Sequence, residues 1–261
     1  MTSQSRFAKC PLKKRRALVV IRVLLLLTFA MAVSSYGPPA TPSDTGYRLV
    51  KSLVFKASST NTPWYVSAYQ ADVSDLTVGE LPAKLCFSSR ALDLQPDCVV
   101  AEAHSGVARY AFQGVETLSV EHILNDGESA VLFVARFSGG GSGALRLVSL
   151  WGAAGAQTGL RRMLLQVMSE QSEYEILPMT KNGHVGVFVT ADYELSLGET
   201  HFSSHHFIVR IFRLGSDRSA FASIDSYTTA MRYPSLDDTD RIDVISYEMA
   251  EIEKRLDRSR K

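Results

Sequence analysis

The chain reads as an all-β protein of antiparallel sheets, arranged as a sandwich or as a partial propeller-like stack, closed by one C-terminal α-helix. Three observations predict this. Runs rich in Val, Ile, Phe and Tyr recur every 10–20 residues or so, separated by Gly, Asn, Asp or Ser. The joining sequences are short, which favours antiparallel pairing. Strands do not alternate with long amphipathic helices, which argues against a doubly wound α/β fold.

The predicted strands are 47–56, 64–70, 83–88, 98–103, 108–113, 116–123, 130–137, 144–151, 162–168, 174–177, 185–193, 206–213 and 220–228. Their turns have a mechanism. Asn125-Asp126-Gly127 supplies residues that accept positive φ, as a tight hairpin requires, and Asn182-Gly183 precedes another strand. A run of Gly139 to Gly141, Ser142 and Gly143 joins two strongly apolar strands and reads as a hairpin tip. Residues 131–137 are apolar on both alternating faces apart from Arg136, the pattern of a strand covered on both sides. With 144–151 they form the predicted middle of the core.

One helix is predicted, over 241–257. Ile242, Ile245, Met249, Ile252 and Leu256 fall on one face at alternating spacings of three and four. Asp240 is placed to cap its start. Lys254, Arg255 and Arg258 near its end complement the helix dipole. The strand rhythm resembles that of exported bacterial proteins carrying propeller-type repeats. The acidic run Asp237-Asp238-Thr239-Asp240 departs from the D-x-D-x-D-G calcium loops of such repeats and has no glycine.

Residues 1–32 contain seven basic side chains and no acidic one. An apolar run over 23–33 follows the basic stretch, with Ala30 and Ala32 spaced as A-x-A. That order predicts a secretory signal peptide. The longer stretch from Ala17 to Ser35 is long enough to span a membrane if Arg22 inside it snorkels, so the same residues also read as an uncleaved N-terminal membrane anchor. Residues 33–46, rich in Ser, Gly and Pro, read as a flexible linker, and 47–261 as the extracytoplasmic β-rich domain. Without the first 32 residues, 21 basic side chains stand against 27 acidic ones, a net charge of −6. Nucleic acid is therefore not an expected partner, and contact with a membrane is expected only through the N-terminal segment.

Cys86 and Cys98 are the two cysteines beyond the signal, and in an exported chain they predict a disulfide. In the chain-entropy view a loop of this size is stabilised by roughly 3 kcal/mol. Sequence signatures of zincins, nucleophile elbows, S-x-x-K hydrolases and phosphate loops do not occur, and no catalytic residue is assigned. One polar cluster combines imidazole and carboxylate, the chemistry that binds zinc and other divalent metals: Asp192, Glu199, His201, His205 and His206. His205 and His206 are adjacent on a strand, so at most one of them joins a given site. Trp64 and Tyr65 in one strand and Trp151 in another are candidate contacts for a ligand or a protein partner.

The expected function is that of an exported binding or interaction protein of the cell envelope, with an inhibitor or immunity-type role as a subtype and a protein or other envelope component as partner. No cofactor is expected on this reading. The alternatives are a hydrolase using a divalent metal such as zinc at the His/Glu cluster, and a structural envelope component anchored by its N-terminus. A non-enzymatic role is preferred.

Overall fold

The computed structural model describes residues 46–56, 63–72, 81–89, 96–105, 108–137, 144–153, 160–194, 196, 199–200, 203–234 and 243–259. The predicted signal or anchor and all but the last residue of the linker lie outside these residues.

Fourteen strands are described, and they follow the chain in strict order. The first sheet is β1 (Tyr47–Lys56), β2 (Pro63–Ala71), β3 (Lys84–Ser88) and β4 (Asp97–Val100). A separate hairpin follows, β5 (Glu102–Ser105) and β6 (Ala108–Ala111). The second sheet is β7 (Gly114–His122), β8 (Ser129–Phe137), β9 (Leu145–Ala153) and β10 (Leu160–Ser169). The third is β11 (Glu173–Met179), β12 (Val185–Glu194), β13 (His206–Leu214) and β14 (Phe221–Thr228), after which comes the helix α1 (Val244–Arg258). All the pairings between these strands are antiparallel.

The strand predicted over 98–103 is two strands. Ala101 is the corner between them: its N–H donates to the Ala83 carbonyl at 2.8 Å, and its carbonyl accepts from Phe112 N–H at 2.9 Å. The chain thus leaves β3 at Ala101 and pairs onward with β6. The helix begins at Val244, and its cap is Asp243, whose carboxylate accepts from the Ser246 N–H at 2.9 Å. Asp240 and Ile242, the predicted cap and the first apolar position, lie outside the described residues.

Three layers of sheet and one of helix stack in sequence order. β8 shows how, because its alternating side chains enter two different cores. Val131, Phe133 and Ala135 face the first sheet and meet Phe55, Val66, Leu85 and Phe87. Ala130, Leu132 and Val134 face the third sheet and share a core with Phe188, Phe212, Leu214 and Phe221. The prediction of a strand covered on both sides therefore holds. Arg136, its one exception, is exposed and pairs with Glu170 at 2.9 Å. The far face of the third sheet, with Val187, Val189, Val209 and Ile211, is covered by Val244, Ile245, Ile252 and Leu256 of α1. Successive four-stranded meanders packed face to face are organised as propeller blades are, and three layers of sheet exceed the two of a simple sandwich.

The second and third sheets repeat a local design. Gly127 N–H donates to Leu124 carbonyl and Gly183 N–H to Thr180 carbonyl, at 3.4 and 3.0 Å. Both glycines have positive φ, 90° and 76°, which a side chain at either position would resist. Each turn is followed by the apolar central strand of its sheet. The segments 124–137 and 180–193 therefore superpose in sequence as turn, polar residue and buried strand.

Cys86 and Cys98 are direct cross-strand partners on β3 and β4 and form the predicted disulfide.

Candidate functional site

The polar cluster is built where β12 ends and β13 begins. Asp192 and Tyr193 point to opposite sides of β12, and this separates the predicted metal ligands. Asp192 accepts from the Ser169 N–H at 3.1 Å and from the Ser172 hydroxyl, and lies 3.6 Å from Arg210. It fastens the β10–β11 connection. Tyr193 lies beside His205, with ring centroids 5.0 Å apart.

His205 is almost fully buried, and its Nδ1 lies 3.3 Å from Glu199 Oε2. The same Glu199 oxygen accepts from the Ser196 N–H at 3.0 Å, while its other oxygen is bonded to the Arg232 guanidinium. Arg232 reaches on to His206 Nε2 at 3.3 Å and to the Ser204 carbonyl at 3.4 Å. His206 Nδ1 meets the Thr229 carbonyl at 2.8 Å. The carboxylate of Glu199 is held below the usual range, first by the Ser196 N–H and then by His205 and Arg232.

A guanidinium therefore sits where Glu199 and His206 converge, the place the metal reading gave to a cation. The carboxylate oxygens of Glu199 and both nitrogens of the His206 ring already have partners, whereas the Nε2 of the buried His205 has none. Among the described residues no group of three or more His, Cys, Asp or Glu side chains is placed to hold one. His201, another member of the predicted set, lies outside the described residues. Arg232 follows the histidine pair by 26 positions in a stretch that reads as an ordinary loop. It returns to the cluster only because β14 brings the chain back antiparallel to β13.

The aromatic candidates separate by burial. Trp151 is 8 % exposed, packs on Phe87 with ring centroids 5.1 Å apart, and donates its Nε1–H to Ser149 Oγ at 3.0 Å. Both its apolar body and its polar handle are consumed by the core, which leaves it nothing to offer a ligand. Trp64 is half-buried against the same core. Tyr65, the next residue, faces the other side of the first sheet, across from the exposed Val54. The expected opposition of Trp64 and Tyr65 is present, and Trp64 is the one that joins the core.

A different concavity lies at the end of the second and third sheets, where three turns meet. A half-open cavity of about 370 Å³ lies between the β7–β8 turn, the start of β12 and the β13–β14 turn. Leu124, Val185 and Leu214 supply its apolar walls, and Asn125, Asp126, Ser216 and Arg218 its polar ones. Met179 pairs directly with Val185 across the β11–β12 ladder, and both are about half exposed, 53 % and 48 %. Arg218 takes a φ of 55°, unusual for a side chain of its size. Its guanidinium lies 2.9 Å from Asp126 and 3.8 Å from Glu128. Asp126 is held low, chiefly by the Glu128 N–H, whereas burial pushes the Glu128 carboxyl up. The cavity thus joins an apolar floor to an ionic wall, at a size within the range of about 300–1,000 Å³ common to ligand pockets.

No protein family, curated protein or solved structure matches the chain. The sequence does hold one signal for this concavity. Gly186, a lone glycine in a strand pattern, marks a close approach. A Cβ there would lie 3.0 Å from Leu214 Cβ and 3.1 Å from Leu124 Cδ2, so its absence lets the three turns converge.

Proposed function

We propose that the protein is an exported binding protein of the cell envelope, and that the turn-lined concavity at residues 124–126, 185 and 214–218 is where it engages a protein partner. The observation that carries this reading is the pairing of half-exposed Met179 and Val185 beside a cavity with apolar and ionic walls. An apolar side chain of the partner fits against Leu124, Val185 and Leu214, while Asp126 and Arg218 supply polar contacts at the rim. Sites of this kind, an apolar anchor pocket edged by charge, carry most of the energy in protein recognition. Loops held on a rigid sheet scaffold are the usual place for them. The basic N-terminus followed by an apolar run supports export, and the Cys86–Cys98 disulfide agrees with an oxidising compartment.

The test is photo-crosslinking of the tagged full chain in its own cells, with the reactive side chain at position 185 and, as a control, at the exposed Tyr247. The expected result is one discrete adduct in the envelope fraction from position 185 that is lost when Met179→Asp is added. Retention of the protein in the cytoplasm, or equal adducts from both positions, would overturn the reading.

A further inference from the structure

The four-residue strand β4 is lightly held. It lies at the edge of the first sheet and exposes Asp97, Cys98 and Val100, and only Val99 is packed against the core. Its ladder to β3 runs from Lys84↔Val100 to Phe87↔Asp97. The disulfide closes that ladder from one side only: Cys86 is 1 % exposed, whereas Cys98 is open to solvent.

We propose that the Cys86–Cys98 bond is a redox latch on β4, opened at Cys98 by an extracytoplasmic dithiol. The thiolate of the dithiol attacks Cys98 Sγ, the sulfur on the exposed strand. The Cys86–Cys98 bond breaks, and Cys86 leaves as a thiolate that takes up a proton. The second thiol of the reagent then attacks the mixed disulfide, forms its own internal disulfide, and releases Cys98 as a thiol. Two electrons pass from the dithiol to the protein, and a disulfide oxidant of the same class reverses the sequence.

Direction of attack follows from access, since exchange needs a line of approach to the sulfur. The consequence follows from the strand's length. Once the bond is open, β4 has a short ladder and one packed side chain, and it detaches while the rest of the sheet stays. The edge of β3 then presents unpaired N–H and C=O groups, the template that strand addition uses. The latch would make that edge available only under reducing conditions.

Hydrogen exchange on the full chain, oxidised and after dithiothreitol, reads the latch directly. Exchange at residues 97–100 is expected to accelerate by about tenfold or more on reduction, with residues 131–134 and 147–150 unchanged. Uniform acceleration through all three sheets would make the bond a plain staple, and unchanged exchange in β4 would remove the latch. Limiting glutathione, quenched in acid and mapped by mass, reads the point of attack. The adduct is expected on Cys98, and an adduct on Cys86 overturns the proposed direction.

Discussion

Gly186 combines two demands that a side chain cannot meet together, a φ of 62° and contacts of 3.0 and 3.1 Å waiting for any Cβ. Gly183, three residues earlier, has a φ of 76° but open space around it. Gly186→Ala is therefore expected to cost about 2–4 kcal/mol, the left-handed penalty plus overpacking. Gly183→Ala is expected to cost about 1–2 kcal/mol, the conformational part alone. Urea unfolding of both variants separates the two contributions, and equal midpoints would refute the packing argument. At the polar cluster, the relevant residue is Glu199. A carboxyl held low in the folded state binds its proton more weakly there than in the unfolded chain. Its stabilisation is complete at neutral pH and is lost as pH falls through the carboxylate range. Glu199→Gln is expected to flatten the loss of stability between about pH 5 and pH 3, measured by urea midpoints across that range. An unchanged slope would mean that Ser196, His205 and Arg232 do not hold the carboxylate as their geometry implies. The metal-like look of this cluster in the sequence came from residue types. Those types say which donors are available but not that an arginine 26 positions on comes to occupy them.

At the scale of elements, the sequence was most readable where periodicity and burial coincide. β1 runs over the predicted 47–56, and the two-sided burial of β8 follows from an unbroken apolar run. The helix face was legible from its spacing, since Ile245, Ile252 and Leu256 are buried as predicted, with Met249 partly so. Its start was not, because two aspartates precede it and only the fold decides which carboxylate meets the free N–H groups. Asp243 does so through Ser246, by backbone and by hydroxyl. Asp243→Ala is expected to destabilise the protein by about 1 kcal/mol, the usual cost of losing an N-cap. Thermal unfolding checks this, and full stability in that variant would move the cap elsewhere. α1 is further secured by Glu248, which accepts from the hydroxyls of Tyr227 and Tyr233 at 3.1 and 2.6 Å. Burial first, then this carboxylate, pushes both phenols far above their ordinary value. The split at Ala101 was illegible because one continuous run of strand-forming residues serves two different partners.

For the whole molecule, composition and turn chemistry established an antiparallel all-β architecture, but the number of layers depended on which strands share a sheet. That is fixed by contacts between segments far apart in sequence, such as Phe133 with Phe87's core and Leu132 with Phe212's. With both faces of the second sheet covered, β8 and β9 form the interior of the stack. Their amides are expected to exchange only through global unfolding, whereas those of β4 and β14, at sheet edges, exchange by local opening. Native-state hydrogen exchange across a denaturant series checks this, and β8 amides that open below the global free energy would contradict the layered core.

Because each sheet is built from one contiguous stretch of chain and rests on the sheet before it, assembly can keep pace with delivery of the polypeptide from its N-terminal side. The first sheet can close its hairpins before the second arrives, and the second offers the third a finished surface. A chain threaded through a pore would never need an early segment to wait, unpaired, for a late strand. Each layer leaves one apolar face bare until the next arrives, and for the third sheet that face, with Val187, Val189, Val209 and Ile211, is covered only once α1 has emerged.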